Sequence, residues 1–149
     1  MASSNLENLY KQVIMDHYKS PRNKGLPEET DTAYHRVHLK NPSCGDDITI
    51  AVKRAGDTLE DIKHAGIGCS ICCSSASVMS ELLQGKTVEE ATKLIENFYQ
   101  IVKGEDLDET LDMEDAIAYS GVASFPARIK CATISWKAVE TAIEETNES

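Results

Sequence analysis

Residues 34–54 read YHRVHLKNPSCGDDITIAVKR, two strand-like runs joined by a short turn. The second run places Ile48, Ile50 and Val52 on one face, the alternation expected of a strand buried on one side. A third strand-like run, LEDIKHAGIG at residues 59–68, follows a second turn, AGDTL. Because connections this short cannot hold the crossover that parallel pairing requires, we predict a small antiparallel sheet of about three strands.

Helical patterns precede and follow these strands. Before them, residues 4–19 carry apolar residues at helical intervals, beginning with Ser4 and Glu7 in capping-box spacing. After them, the sequence predicts a helix that ends near Gly85, a helix between the capping-box pair Thr87 and Glu90 and Gly104, a short acidic helix within residues 106–121, and a helix that starts after Pro126. Strands followed by helices indicate an α+β fold. The length of 149 residues suits one domain over residues 1–149, with a short disordered tail near residues 145–149.

Charge and apolar content argue against several classes of partner. The formal net charge is −10, whereas nucleic acid and anionic membranes attract surplus Lys and Arg, so we expect neither as a partner. No run approaches the roughly 18 consecutive apolar residues of a membrane span. The N-terminus lacks the apolar centre of a signal peptide, which predicts a cytoplasmic location. Five cysteines are not expected to form structural disulfides there, so metal binding or thiol chemistry becomes the leading explanation.

Three of the cysteines lie at predicted element boundaries. Cys44 lies in the turn between the first two strands, Cys69 follows the third strand, and Cys131 lies in about the first turn of the last helix. Near a helix N-terminus the helix dipole lowers the pKa of a thiol and favours thiolate, which we expect for Cys69 and Cys131.

These three thiolates and the Asp46 carboxylate would make the four-ligand set that zinc prefers. Such a site has a formal charge of −2, which Arg128 and Lys130, on either side of Ile129 and next to Cys131, could balance. Three unrelated thiols are the alternative.

Cys72 and Cys73 allow several interpretations. CSIC, residues 69–72, has the spacing of dithiol redox motifs, but that motif usually opens a helix in a βαβ unit. Packing of two small apolar side chains beneath the site is the simpler interpretation, and direct metal ligation is a third. The four histidines are most simply surface or half-buried residues, and Trp136 is most simply part of the core.

Three separated motifs carry a resemblance to a known family. NPSCGD, GIGCSICCSSASVMSELLQGK and FPARIKCATISWKA, with the opening LYKQVIMDHYKSPRNKG, resemble the IscU/NifU N-terminal family of iron–sulfur cluster assembly proteins. The resemblance covers nearly the whole chain and is closest to the SufU branch. It implies a small antiparallel sheet packed with helices, and ligand roles for Cys44, Asp46, Cys69 and Cys131.

The SufU-like resemblance also implies a function. Such proteins are zinc-dependent sulfurtransferases that accept persulfide sulfur from a pyridoxal-phosphate cysteine desulfurase of the SufS type. The implied acceptor is Cys44, which a histidine of the docked desulfurase would replace on zinc, and Arg128 would balance charge or contact the desulfurase. The sulfur would then pass to downstream iron–sulfur assembly proteins.

Two alternatives remain beside this interpretation. The first is a scaffold that binds iron or a nascent iron–sulfur cluster on the same cysteines, and the second is a structural zinc module. The chain has Lys130 where the scaffold branch has a histidine before the last cysteine, and an acidic insertion around residues 104–115, both typical of SufU-like proteins. Cys72 and Cys73 depart from both branches.

Overall fold

The computed structural model describes residues 2–147, and the side chains from residue 9 onward. The predicted Ser4–Glu7 capping box therefore lies outside the described side chains. The first helix begins at Ala2, two residues before the predicted cap. The elements in chain order are α1 (Ala2–Lys19), β1 (Tyr34–Asn41), β2 (Asp46–Ala55), β3 (Thr58–Ile67), α2 (Ser70–Leu83), α3 (Val88–Lys103), a 3-10 helix (Glu114–Ser124) and α4 (Pro126–Thr146).

The sheet confirms the predicted antiparallel meander, with strand order β1-β2-β3. At the end of the sheet where α2 begins, Asn41 pairs with Asp46 and Asp47 pairs with Ile67. The β1–β2 turn and the end of β3 therefore lie at the same edge of the fold. This register brings the NPSCGD turn beside the start of α2.

Helices cover one face of the sheet and enclose the core. Ile48, Ile50 and Val52 are buried, as the alternation of β2 predicted, and α4 packs against β1 and β2. Trp136 of α4 is fully buried, as expected, and stacks on Phe98 of α3 with ring centroids 3.9 Å apart. The confirmed fold class is α+β, because one hydrophobic core joins the sheet to the helices.

Two C-terminal segments differ from the sequence expectation. The acidic segment forms a 3-10 helix, and three of its four buried residues, Ala116, Tyr119 and Val122, are spaced three apart, matching three residues per turn. The last helix continues through Thr146, where Arg54 donates to the Thr146 hydroxyl at 3.0 Å and to Asn147 Oδ1 at 2.7 Å. Residues 145–147 are therefore not a tail, and residues 148 and 149 lie outside the described part.

Among residues 2–147, none of the helices is both long enough and apolar enough to cross a bilayer.

Candidate metal centre

The β1–β2 turn positions two of the predicted ligands. Pro42 presets the backbone of a turn closed by the Cys44 N–H, which donates to the Asn41 carbonyl at 3.2 Å. Gly45 then takes a left-handed φ of 71°, which a residue with a side chain adopts at a cost. The chain re-enters the sheet at Asp46. As a result Cys44 is half-buried at the tip and Asp46 is 2% exposed at its base.

The tertiary fold brings a third donor to this turn from residue 131. Ligand atoms of Cys44, Asp46 and Cys131 all lie within 4.8 Å of one another. Cys131 comes from α4, which packs across the ends of β1 and β2. Cys131 thus joins Cys44 and Asp46 although more than half of the chain separates it from them.

Asn41 links two of these donors. Its side-chain amide donates to Asp46 Oδ2 at 3.2 Å and to the sulfur of Cys131 at 3.7 Å. Groups that hydrogen-bond to metal ligands fix the orientation of those ligands. The sequence analysis did not single out Asn41, although its position opposite Asp46 across the hairpin is the signal that could have identified it.

Gly68 and Cys69 hold the other oxygen of the carboxylate. The Cys69 backbone N–H donates to Asp46 Oδ1 at 3.1 Å. A Cβ added at Gly68 would lie 2.5 Å from the same oxygen, so only glycine leaves room for the carboxylate in this position. Asp46 is therefore fixed from both sides, by Asn41 and by the residues that precede α2.

The Cys69 thiol lies beside the three converged donors. Cys69 is the N-cap of α2, as its predicted place at a helix start requires. The nearby Cys69 thiol contributes to raising the pKa of Cys131. Among the side chains that the structure describes, however, Cys69 does not lie within 4.8 Å of all three converged donors. The four-ligand set therefore stays a prediction. It requires the Cys69 side chain to turn towards the other three donors.

Cys131 departs from the expected position at a helix N-terminus. Because α4 begins at Pro126, Cys131 is its sixth residue and lies in the second turn, where the dipole effect has weakened. Burial raises the pKa of the Cys131 thiol, and hydrogen bonds with Cys44, Asp46 and Cys69 raise it further. The expectation of a lowered pKa from the helix terminus is therefore wrong for this residue.

Arg128 is the cation at this site. Its exposed guanidinium hydrogen-bonds with Cys131, and this bond together with the charges of Cys69, Cys131 and Cys44 raises the pKa of the arginine. The Cys44 thiol donates to the Ala127 carbonyl at 3.8 Å, so the first turn of α4 also contacts the β1–β2 turn. This position is suited to balancing the negative charge of the thiolates, the role predicted for Arg128, and that role stays a prediction.

The chemistry of the donors fits a zinc ion. Soft thiols with one carboxylate are zinc ligands, and the carboxylate is already oriented by two hydrogen bonds. A divalent cation among these groups favours their deprotonated forms, against the effect of burial on Cys131.

Cys72 and Cys73 have different surroundings. Cys72 is 1% exposed and belongs to the core, as the packing interpretation predicted. Cys73 is half-buried and lines a cavity of about 220 Å³. The hydrogen bond between the two thiols raises the pKa of Cys72 and lowers the pKa of Cys73 to about 7.

Two histidines correct the expectation of surface or half-buried positions. His17 is fully buried, with hydrogen bonds of 2.8 Å to Ser77 Oγ and to Asp115 Oδ2. His64 is 4% exposed, and its Nε2 hydrogen-bonds with the Arg22 carbonyl at 2.8 Å. Both histidines satisfy buried polar groups and thereby attach α1 and the loop after it to the rest of the fold.

The fold and the site define a class of protein, a small α+β domain that gathers thiols and a carboxylate at one edge of an antiparallel sheet. The chain belongs to the family described as the NifU-like N-terminal domain, whose sequence model matches residues 9–132. The suspected resemblance is thereby confirmed.

Individual relatives fall into two functional groups by name. The chain is 46% identical to the zinc-dependent sulfurtransferase SufU of Bacillus subtilis, covering 95% of this chain and 93% of the relative. It is 40% identical to the iron–sulfur cluster assembly scaffold protein IscU of Streptococcus pyogenes, covering 98% and 89%. A crystal structure from Fervidobacterium islandicum, described as a candidate scaffold for the SUF system, superposes with a TM-score of 0.77 at 33% identity, covering 87% and 93%.

Proposed function

We propose that this protein is a zinc-dependent sulfurtransferase, which accepts persulfide sulfur from a pyridoxal-phosphate cysteine desulfurase for iron–sulfur cluster biogenesis. Cys44 is the accepting thiol, and Cys44, Asp46, Cys69 and Cys131 hold the metal. One observation carries the proposal. Cys44 is half-exposed at the tip of a turn, and yet its sulfur lies within 4.8 Å of two buried donor groups.

The transfer is an exchange at sulfur. The Cys44 thiolate attacks the outer sulfur of the persulfide on the desulfurase. A sulfur–sulfur bond forms on Cys44 while the bond to the donor cysteine breaks, and that cysteine leaves as a thiolate. The outer sulfur keeps its oxidation state, so the step consumes no external oxidant or reductant.

The residues around Cys44 have separate parts in this step. The turn presents the thiol to a partner, while Asn41 and the Cys69 N–H keep the Asp46 carboxylate in place when Cys44 leaves the donor set. Arg128 lies beside the thiols and stabilises the anionic persulfide on Cys44. Zinc, when bound, supplies the charge that keeps these thiols deprotonated and shields Cys44 from stray oxidation.

A scaffold for nascent iron–sulfur clusters is the second candidate. It is favoured by the relatives named as scaffolds, including the Streptococcus pyogenes protein at 40% identity. The same cysteines would hold iron or a cluster. Lys130 distinguishes the candidates, because this exposed side chain precedes Cys131 where the scaffold branch has a ligand-capable histidine.

Alanine release from cysteine by the cognate desulfurase tests the proposal. The reaction contains reductant but no iron, and compares zinc-loaded, zinc-stripped and Cys44→Ala protein. Ser43→Ala is the matched control, because Ser43 is an exposed neighbour in the same turn. We expect stimulation by the zinc-loaded wild type and by Ser43→Ala, and none by the other two forms.

Other outcomes change the conclusion. Full stimulation by Cys44→Ala would exclude Cys44 as the acceptor. No stimulation by any form, together with a cluster reconstituted on the same protein under anaerobic conditions, would favour the scaffold. Loss of cooperative unfolding on zinc removal would indicate a structural zinc module.

The proposal includes the cellular setting. The desulfurase and the downstream iron–sulfur assembly proteins that receive the sulfur are its partners, and the cytoplasm is its location. The support for this setting is the chemistry of a thiol that must stay reduced.

A further inference from the structure

A small cavity lies between the loop after α1, the end of β3 and the first turn of α2. The loop after α1 forms one wall, because Lys24 bridges to His64 of β3 and the Gly25 N–H donates to the His64 carbonyl at 2.8 Å. Cys72 and Cys73 of α2 form the opposite wall. Ile67, 72% exposed, also lines the cavity, which therefore opens to solvent at the end of β3.

Cys73 is a half-buried cysteine that lies outside the proposed ligand set. Cys44, Cys69 and Cys131 belong to the proposed ligand set, and Cys72 is buried in the core. Cys73 lines the cavity with its thiol 3.7 Å from the Gly68 carbonyl. When a metal occupies the centre, Cys73 is the cysteine, among those that the structure describes, that is both free of the metal and half-exposed in a cavity.

The surroundings of Cys73 select the chemistry of an occupant. The volume of about 220 Å³ is below the roughly 300–1,000 Å³ of sites for organic ligands, so the occupant has few atoms. Lys24 is a cation at the edge of the cavity, which favours an anion. Cys72, next to Cys73, also lines the cavity, so its thiol can donate to an anionic sulfur chain attached to Cys73.

We propose that Cys73 is a second sulfur-accepting site, which takes sulfane sulfur from a small inorganic polysulfide while the thiols of the metal centre are coordinated. The site does not depend on the proposed transfer from a desulfurase. It uses a thiol, a cavity and a cation that lie apart from Cys44.

The reaction balances without a further reagent. Cys73 loses its proton to water, and its sulfur attacks a sulfane sulfur of the polysulfide. A sulfur–sulfur bond forms on Cys73, and the remaining part of the polysulfide leaves as a shorter polysulfide or as hydrosulfide. The product is a persulfide anion in the cavity that Lys24 also lines.

Mass spectrometry of the zinc-loaded full-length chain tests the proposal. The protein is treated with inorganic polysulfide in the absence of any desulfurase, then alkylated and digested. Fragment ions locate the added sulfur among Cys69, Cys72 and Cys73, and zinc content is measured before and after. We expect one added sulfur on Cys73 with zinc retained, and loss of that sulfur in Cys73→Ser.

Two lysine variants test the contribution of charge. Lys24→Gln should slow sulfur addition about fivefold, because one nearby opposite charge stabilises an anion only modestly at the surface. Lys19→Gln is the matched control, because Lys19 is exposed at the end of α1 and does not line the cavity. Equal rates of sulfur addition in the two variants would show that Lys24 does not contribute to the site.

The remaining outcomes overturn the proposal. They are no added sulfur on the wild type, added sulfur on Cys44, Cys69 or Cys131 instead, or release of zinc during the reaction. Fragment ions from the wild type decide between these outcomes even if Cys73→Ser does not fold. Because no desulfurase is present, failure here would leave the proposed transfer to Cys44 intact.

Discussion

Replacing Gly68 with alanine tests whether the fixed Asp46 carboxylate contributes to a metal centre. The new Cβ would lie 2.5 Å from Asp46 Oδ1, 3.2 Å from its Cγ and 3.3 Å from its Cα. The contact of 2.5 Å is 0.9 Å shorter than the 3.4 Å at which ordinary contact begins. Either the carboxylate or the backbone before α2 must therefore move by most of an ångström.

A movement of this size is large for a metal ligand. Ligand distances in metal sites hold within about 0.2 Å, so a displaced carboxylate cannot keep both its place and its hydrogen bonds. Loss of groups that orient ligands typically reduces metal affinity about 10- to 100-fold, and we expect a loss of that order for Gly68→Ala. The same movement would break the Cys69 N–H bond to Oδ1.

Competition for zinc against a chromophoric chelator measures the effect, and far-UV circular dichroism checks that the variant is folded. Gly121→Ala is the matched control, because a Cβ at Gly121 meets nothing within 4 Å. Zinc affinity within about twofold of wild type for a folded Gly68→Ala would refute the reasoning, since an oriented Asp46 would then contribute little to binding.

Three further predictions use chelator competition or urea unfolding. Asn41→Leu removes the amide shared by the carboxylate and a thiol, so zinc affinity should fall about tenfold in chelator competition; unchanged affinity would contradict this. His17→Ala leaves a buried serine hydroxyl without its imidazole partner and should lower the free energy of unfolding by about 2–4 kcal/mol, whereas the exposed His38→Ala should cost less than about 0.5 kcal/mol. Burial lowers the pKa of His64 below its ordinary 6.5. As the pH falls below 6.5, the unfolded chain therefore binds a proton before the folded chain does. The contribution of neutral His64 to the free energy of unfolding is present above pH 6.5 and is lost below it. His64→Gln keeps a donor for the Arg22 carbonyl and should show a smaller loss of stability on acidification; an unchanged pH dependence would contradict the assignment.

Local patterns were sufficient to predict most of the fold. The alternation of Ile48, Ile50 and Val52 gave the buried face of β2, and short turns gave antiparallel order. The Thr87–Glu90 capping box and the left-handed Gly104 bound α3 as predicted. The 3-10 helix differed because it packs against α1 and α2, which are distant in the sequence, as well as against its neighbours α3 and α4.

The candidate site could be predicted in part. Cys44 and Asp46 share one turn, so their proximity follows from local geometry. The raised pKa of Cys131 could not be anticipated, because it depends on burial among residues of the hairpin and α2. The burial of His17 and His64 was missed for the same reason, since each is enclosed by segments far along the chain.

The sequence by itself determined the element order, the turn that carries Cys44 and Asp46, and the set of residues able to bind a metal. These features depend on neighbours within a few positions, where spacing and backbone preference act directly. Only the tertiary structure decided that Asn41 joins Asp46 to Cys131, that Gly68 leaves space for the carboxylate, and that Cys73 opens into a separate cavity. Such contacts arise where distant segments pack together, and packing at that range is set by the whole core.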